Sequence, residues 1–350
     1  IWIGTNTGLD KFNPDSGEFS HVFSKDPDAE TIDKEFINQL YQDKSGVIWI
    51  GCGTAFTNDK QCIGGLFKYD KKTDEITPYL HAEEINSLID NRITALYEDS
   101  RGTFWVGTSG DGLHTMDRKQ GSFKRHEYDV LNPQKLSRPP LGDLYPWSDD
   151  FISFIEEDEF GKIWIGTYEG GMNRYNPSSG TTTYFGMDEF GTKSFFSCLK
   201  TKDNLLWFVA WGNNNSGENL FKVNTSFQGL EKRKVETAVR IRSMVETGDK
   251  GILIGTSRGL RLMDAKGDIQ NISFNNDSLL SNPRIYSLEK NKSGNIWIPT
   301  DQGLFYYNSQ TKVLTEYRHK PNDTNSISTD EINTKLQIND TIFIGTEFGL

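Results

Sequence analysis

The chain sets apolar against polar positions in runs of four to six residues bounded by Gly, Asn and Asp, as in Arg92-Ile93-Thr94-Ala95-Leu96-Tyr97-Glu98-Asp99 followed by Arg101-Gly102. Alternation at a period of two between turn residues predicts antiparallel β-structure. Nowhere do apolar residues recur at helical spacing over three turns. One run in each unit breaks the alternation and is apolar throughout, as in Ile48-Trp49-Ile50 and Ile163-Trp164-Ile165. A strand that short and that apolar is expected to lie between two sheets, buried on both faces.

These apolar runs repeat. Ile1-Trp2-Ile3-Gly4-Thr5 returns around Trp49, Trp105, Trp164 and Trp297, with weaker copies around Trp207, Leu253 and Phe343. The anchors are 47, 56, 59, 43, 46, 44 and 46 residues apart. A period near 45 with insertions is that of propeller blades or solenoids. Each unit reads as four strands: an upstream run ending in an acidic residue (a), the Trp strand (b), a run after Gly-Leu (c) and a last run after another turn (d). Four-stranded units repeated radially make an all-β propeller. Counting a strands from Phe36, Arg92, Phe151, Phe195, Arg240, Arg284 and Ile332 gives one propeller over 1–350. Six full blades cover about 36–331, and a composite blade is drawn from 1–35 plus 332–341. Residues 342–350 are a surplus strand that starts a further propeller or belongs to a truncated eighth blade; seven blades is the favoured count. In this scheme Trp2, Trp49, Trp105, Trp164, Trp207 and Trp297 are wedges between blades.

The unit Asp158-Glu159-Phe160-Gly161-Lys162-Ile163-Trp164-Ile165-Gly166-Thr167 and its copies resemble the two-component regulator propeller repeat. The resemblance spans essentially the whole chain, with Pro299 for Gly, Cys52 for Thr and Val209-Ala210 for Gly-Thr as departures. It implies the periplasmic sensor region of a hybrid histidine kinase of the Bacteroides type. Such a region responds to glycan breakdown products and neighbours a further propeller and a β-sandwich in the same chain. It also implies a homodimer in the full receptor, with signals relayed by rigid-body rearrangement.

Composition narrows the alternatives. Aromatic residues make up 12% of the 350 positions, too many for a disordered chain. No apolar run approaches the roughly 20 residues of a membrane span. The net charge of −11 argues against nucleic acid as the main partner. Ile1 is no natural start, so the chain is expected to be part of something longer.

Few motifs point to chemistry. Gly255-Thr256-Ser257-Arg258-Gly259 has the spacing of a nucleophile elbow, but it falls in a strand-turn-strand of the repeat rather than at a strand-to-helix turn. The Asp-x-x-Gly-x-Ile-Trp turn also resembles the Asp-box of propeller hydrolases, yet Arg92-Ile93, Arg240-Ile241 and Arg284-Ile285 are never followed by the Pro of a sialidase. A carboxylate pair for glycoside hydrolysis, or a lyase, stays open as the alternative. The five His are scattered without metal-binding spacing, so neither a metal nor another cofactor is expected. His114 and His126 read as half-exposed strand residues. Cys52 and Cys62 flank an insertion between b and c strands and either form a disulfide or remain two thiols.

Length variation concentrates in the d–a and b–c loops, which share one face of a propeller. There Arg138, Tyr145, Trp147, Tyr168, Trp211, Asn213 and Arg258 supply stacking faces, amides and guanidinium forks of the kind a glycan pocket uses. Contact with another protein domain is the competing use of that face.

Overall fold

The structure, a computed structural model, describes residues 2–5, 8–13, 16, 18–21, 36–53, 64–71, 73, 75–110, 112–129, 131–137, 151–211, 218–224, 231–236, 239–248, 250–272, 283–323, 326–338 and 341–346. The described chain is almost entirely antiparallel β, in sheets that follow one another along the sequence. A three-stranded sheet (Trp2–Thr5, Gly8–Asn13, Glu18–His21) comes first. Six four-stranded sheets then run from Ile37 to Tyr317, and a two-stranded sheet, Ile332–Ile338 with Thr341–Thr346, comes last. Within each four-stranded sheet the strands pair in chain order, which is the a-b-c-d meander of a β-propeller blade. Each blade is named here by the second residue of its b strand.

Two compact units contain these sheets, Ile1–Cys198 with Thr225–Leu230 and Leu199–Asn224 with Glu231–Leu350. The first unit holds the three-stranded sheet and the Trp49, Trp105 and Trp164 blades. The second holds the Leu253 and Trp297 blades and the two-stranded sheet. The a strand of the Trp207 blade, Phe195–Lys200, straddles the boundary.

The b strands Ile48–Cys52, Phe104–Thr108, Ile163–Thr167, Ile252–Thr256 and Ile296–Thr300 are buried at every residue. Trp49 clusters with Leu88, Ile93, Leu96 and Phe104 of the following blade. Trp105 clusters likewise with Ile152, Ile155, Ile163 and Ile165. The core is therefore a series of apolar seams between consecutive sheets rather than one central mass. Trp2, in the three-stranded sheet, is half-buried and packs on Tyr69 at 4.4 Å between ring centroids.

The repeated Trp is held by the repeated Asp. Asp99 Oδ1 accepts the backbone N–H groups of Arg101 (3.0 Å) and Thr103 (2.8 Å), closing the a–b turn, while Oδ2 accepts the Trp105 indole N–H at 3.0 Å. Asp158 does the same for Phe160, Lys162 and Trp164, and Asp43 for Ser45, Val47 and Trp49. One carboxylate thus shapes the turn and satisfies the buried indole, which explains the six-residue spacing from Asp to Trp. A cation often covers the other side of the ring. Arg174, paired across the strands with Trp164, lies 5.3 Å from that ring and 5.4 Å from Phe185. Lys11 and Lys222 take the same place over Trp2 and Trp207, and where Leu253 replaces Trp its partner is Leu262.

Consecutive blades are also joined by hydrogen bonds. The N–H after the turn Asp donates to the glutamate that ends the next blade's a strand: Lys44 to Glu98 (2.8 Å), Ser100 to Glu157 (2.7 Å) and, after Thr201, Lys202 to Glu246 (2.9 Å). Tyr41 and Tyr97 accept, through their hydroxyls, the backbone N–H groups of Glu98 and Glu157. Burial pushes the Tyr97 hydroxyl well above its ordinary pKa.

Five a strands carry a bulge after their first residue, at Ile37/Gln39, Ile93/Ala95, Ile152/Phe154, Ile241/Ser243 and Ile332/Thr334. The bulge turns the extra residue toward the next blade, where Asn38 donates to the Ile93 carbonyl (3.3 Å) and Thr94 to that of Ile152 (2.7 Å). It also lays the first a residue over the b-strand glycine of the preceding blade. A Cβ on Gly107 would stand 2.6 Å from Ile152 Cγ2, and one on Gly51 2.7 Å from Ile93 Cγ2. Gly107→Ala is therefore expected to destabilise by about 1–3 kcal/mol through overpacking, with the Ile152→Ala background removing most of that penalty. Urea denaturation of the four proteins of this double-mutant cycle reads the coupling; strict additivity would mean that the blades do not meet there as described.

Candidate functional site

The loop-rich face is more regular than its length variation suggests. In each of four blades the glycine at or just before the start of the c strand donates its N–H to a carbonyl of the following d–a loop: Gly65 to Asn91 (2.6 Å), Gly171 to Lys193 (2.7 Å), Gly259 to Pro283 (2.8 Å) and Gly303 to Asp330 (2.6 Å). These glycines have positive φ, between 84° and 118°. A Cβ there would be strained and, at Gly171 and Gly303, would press on a d-strand carbonyl.

Two d–a loops are copies of one another. His81 Nδ1 donates to the Leu88 carbonyl (2.9 Å) and His319 Nδ1 to that of Ile327 (2.8 Å). Ser87 Oγ binds the Ala82 N–H and the Glu84 carbonyl, and Ser326 Oγ binds the Lys320 N–H and the Asp323 carbonyl. Arg125 braces the first loop by donating to the carbonyls of Ala82, Glu84, Ser87 and Leu88. Sequence reasoning missed this motif. Its signal was present in the recurrence of a His followed six or seven residues later by Ser-Leu or Ser-Ile.

The anticipated ligand residues divide unevenly. Arg138, Tyr145, Trp147 and Asn213 lie outside the described residues, as do Cys62 and most of the insertion that it ends. Cys52 is buried at the end of its b strand. Trp211 ends the b strand Leu206–Trp211. Arg258 lies in the b–c turn of the Leu253 blade, where its N–H donates to Thr256 Oγ1 at 3.0 Å. Ser257 shares that tight strand-to-strand turn, which lacks the helix of a nucleophile elbow.

Tyr168 is the anticipated residue with the most developed surroundings. Its backbone N–H donates to the Phe151 carbonyl at 3.0 Å. Its ring lies 6.4 Å from Phe151, edge to face, and 5.3 Å from Phe196 at an interplanar angle of 56°. All three rings are half-buried. Glu169, the next residue, holds φ at 78°, a left-handed conformation uncommon for a residue with a side chain.

Two further groups of this unit behave differently from the expectation. His114 and His126 are buried rather than half-exposed. The c strand that begins at Leu113 and the d strand that ends at Arg125 turn them into the Trp105 blade. Burial holds both imidazoles neutral, with pKa values lowered to about 4. Neutral His114 accepts the Ile89 N–H at Nε2 (3.1 Å) and donates from Nδ1 to the Val106 carbonyl (3.4 Å). On the opposite face, Arg118 spans two blades by reaching Asp43 (2.9 Å) and Glu98 (2.6 Å). Burial alone would raise these two carboxyls, but Ser45 and Trp49 at Asp43, and Arg118 and the Lys44 N–H at Glu98, hold both below the ordinary range.

The meander of four-stranded blades makes this a β-propeller, and the comparisons with known proteins agree. A family model described as the two-component regulator propeller matches residues 31–54 and 87–110, so the chain carries that repeat. A histidine kinase of Formosa agariphila is 25% identical over 307 residues, covering 82% of this chain and 20% of the relative. The chain thus spans about a fifth of the length of that curated relative. Among solved structures, the extracellular domain of a B. thetaiotaomicron protein assigned as a hybrid two-component system superposes with a TM-score of 0.60. It is 19% identical, over 89% of this chain and 38% of that one. Virginiamycin B lyase from Staphylococcus aureus reaches a TM-score of 0.55 at 18% identity, over 89% of this chain and 92% of the lyase. At such identities the likeness is one of fold.

Proposed function

We propose that this chain is the extracytoplasmic recognition propeller of a hybrid two-component sensor. In this reading it responds to a glycan-derived oligosaccharide and passes the signal on by rigid-body rearrangement against neighbouring domains or a second protomer. The regulator propeller repeat matched at 31–54 and 87–110 is the observation that carries the reading. The histidine kinase relative and the extracellular two-component domain support it. Periplasmic placement follows from the same reading. The described helix, Met187–Phe190, is far too short to cross a membrane.

The packing favours a rigid relay over internal deformation. Seams that bury Trp49 and Trp105 between consecutive sheets, tied by Asp and Glu hydrogen bonds, do not yield gradually. Ligand binding then favours one arrangement of whole domains over another. The d–a and b–c loops, which on sequence grounds include Trp147 and Trp211, are assigned to that change.

The test uses Trp147→Ala and Trp211→Ala in the full receptor, with oligosaccharide-dependent transcription and folding read separately. Both variants are expected to fold and to lose most of the transcriptional response. Two folded variants that respond as wild type does would remove the loop-rich face from the sensing surface. The enzymatic alternative is read in parallel by incubating the chain with polysaccharide digests. New reducing ends or unsaturated products would replace the sensor reading with a hydrolase or lyase.

A further inference from the structure

The repeat lets corresponding positions of successive blades be compared residue by residue. Directly after the last position of the b-strand repeat, other blades carry Ser109, Trp211, Ser257 or Asp301, and the Trp164 blade carries Tyr168. At the a-strand bulge position, successive a strands carry Asn38, Thr94, Ser153, Phe196, Arg242, Tyr286 and Asn333. The Trp164 blade and the a strand that follows it carry an aromatic residue at both of these positions. Both meet at one place, since the Tyr168 ring lies 5.3 Å from Phe196 and 6.4 Å from Phe151.

The junction is built differently in a second respect. Asn38 and Thr94 each donate from the bulge position to the following blade. Ser153 Oγ, at the same position, is buried and has no hydrogen-bond partner among the described residues. An interblade bond made at the two preceding junctions is missing at the one where the aromatic rings gather. Glu169, at φ 78°, adds a strained loop residue beside Tyr168.

We infer that Phe151, Tyr168 and Phe196 form a stacking platform for one uncharged saccharide ring, an assignment that rests on the sensor reading above. Aromatic faces take the C–H side of a pyranose, and three half-buried rings together offer stacking area for one or two sugars. The chain's net charge of −11 disfavours sulfated or uronic sugars.

Saturation-transfer NMR on the chain with cellobiose, xylobiose and mannobiose tests this, with an unsaturated chondroitin disaccharide as the acidic arm. The variants are Tyr168→Ser and Phe196→Thr, each restoring a residue type used at that position in another blade, so the fold is kept. Tyr168→Phe retains the stacking face. At least one neutral disaccharide is expected to bind, with Tyr168→Ser weakening it about tenfold and Tyr168→Phe within about twofold of wild type. Unchanged affinity in both Tyr168→Ser and Phe196→Thr would overturn the platform. So would binding of the chondroitin disaccharide alone, binding of none of the four, or a change in sedimentation without any change in sugar binding. A full receptor that still responds to oligosaccharide while the platform fails leaves the sensor reading standing; a receptor that responds to none removes both.

Discussion

Asp99→Ala should lower the unfolding free energy by about 3–5 kcal/mol, among the largest effects of any single side chain here. Asp99 is 1% exposed, and its carboxylate satisfies two turn N–H groups and the Trp105 indole. Truncation leaves a buried indole donor with no acceptor, at about 1–3 kcal/mol, and also opens the turn. Asp99→Asn separates the two contributions. In the Trp297 blade Asn291 accepts the N–H groups of Ser293 and Asn295, each at 3.0 Å, so an asparagine can hold the turn. Its amide nitrogen cannot accept from an indole. The Asn variant should therefore lose about 1–3 kcal/mol, less than the Ala variant. Urea denaturation gives both numbers. An Asp99→Ala protein within 1 kcal/mol of wild type, about the net worth of one ordinary hydrogen bond, would sink this account of the repeat.

Acid should destabilise the protein through His114 and His126 well before its carboxylates titrate. Both imidazoles fall from 6.5 to about 4 in the folded state. Between those values the unfolded chain binds more protons, so stability falls as pH falls from about 6.5 toward 4 and the loss is complete below that. Arg125 and Asp90 both face His114, the first disfavouring and the second favouring its proton; Lys124, Lys135 and His114 itself disfavour that of His126. At pH 5 each histidine should cost about 2 kcal/mol relative to pH 7, rising to about 3 kcal/mol by pH 4. Protonation of His114 also removes the acceptor for the Ile89 N–H, so the 81–92 loop should loosen first. Denaturation of wild type and of the His114→Gln, His126→Gln double variant at pH 7 and pH 5 reads the difference. The double variant should lose less than about 1 kcal/mol over that interval; an equal loss would place the acid sensitivity elsewhere. Asp43 and Glu98, held low, add to the loss only near and below pH 4.

The fold was legible because its signals are local and repeated. Trp49, Trp105 and Trp164 stand at a constant distance from Asp43, Asp99 and Asp158, and a single hydrogen bond explains that constancy. The Gly-Leu step that opens most c strands was equally plain, and its meaning lies in the positive φ at Gly259 and Gly303. Contacts between blades were harder to read. Nothing in the alternation at Ile93-Thr94-Ala95 announces a bulge, because the bulge answers to the following blade and not to local preference. His114 and His126 misled for the same reason: a polar residue on a strand reads as half-exposed until the packing of its sheet is known. At the candidate site, Tyr168 stood out by residue type alone, whereas Phe196 reads as an ordinary strand aromatic until its ring is found beside Tyr168.

The bonds from Lys44 to Glu98 and from Ser100 to Glu157 run in one direction along the chain, from the turn of one blade to the a strand of the next. The Trp105 blade carries both halves of the connection, accepting from its predecessor at Glu98 and donating to its successor from Ser100. A recombination event that duplicates or deletes one whole repeat therefore joins surfaces that already fit. Within such a lineage the number of blades is free to drift while the joint between any two of them stays the same. Ligand-binding novelty then arises by changing loop residues in one copy, without renegotiating the contacts that hold its neighbours.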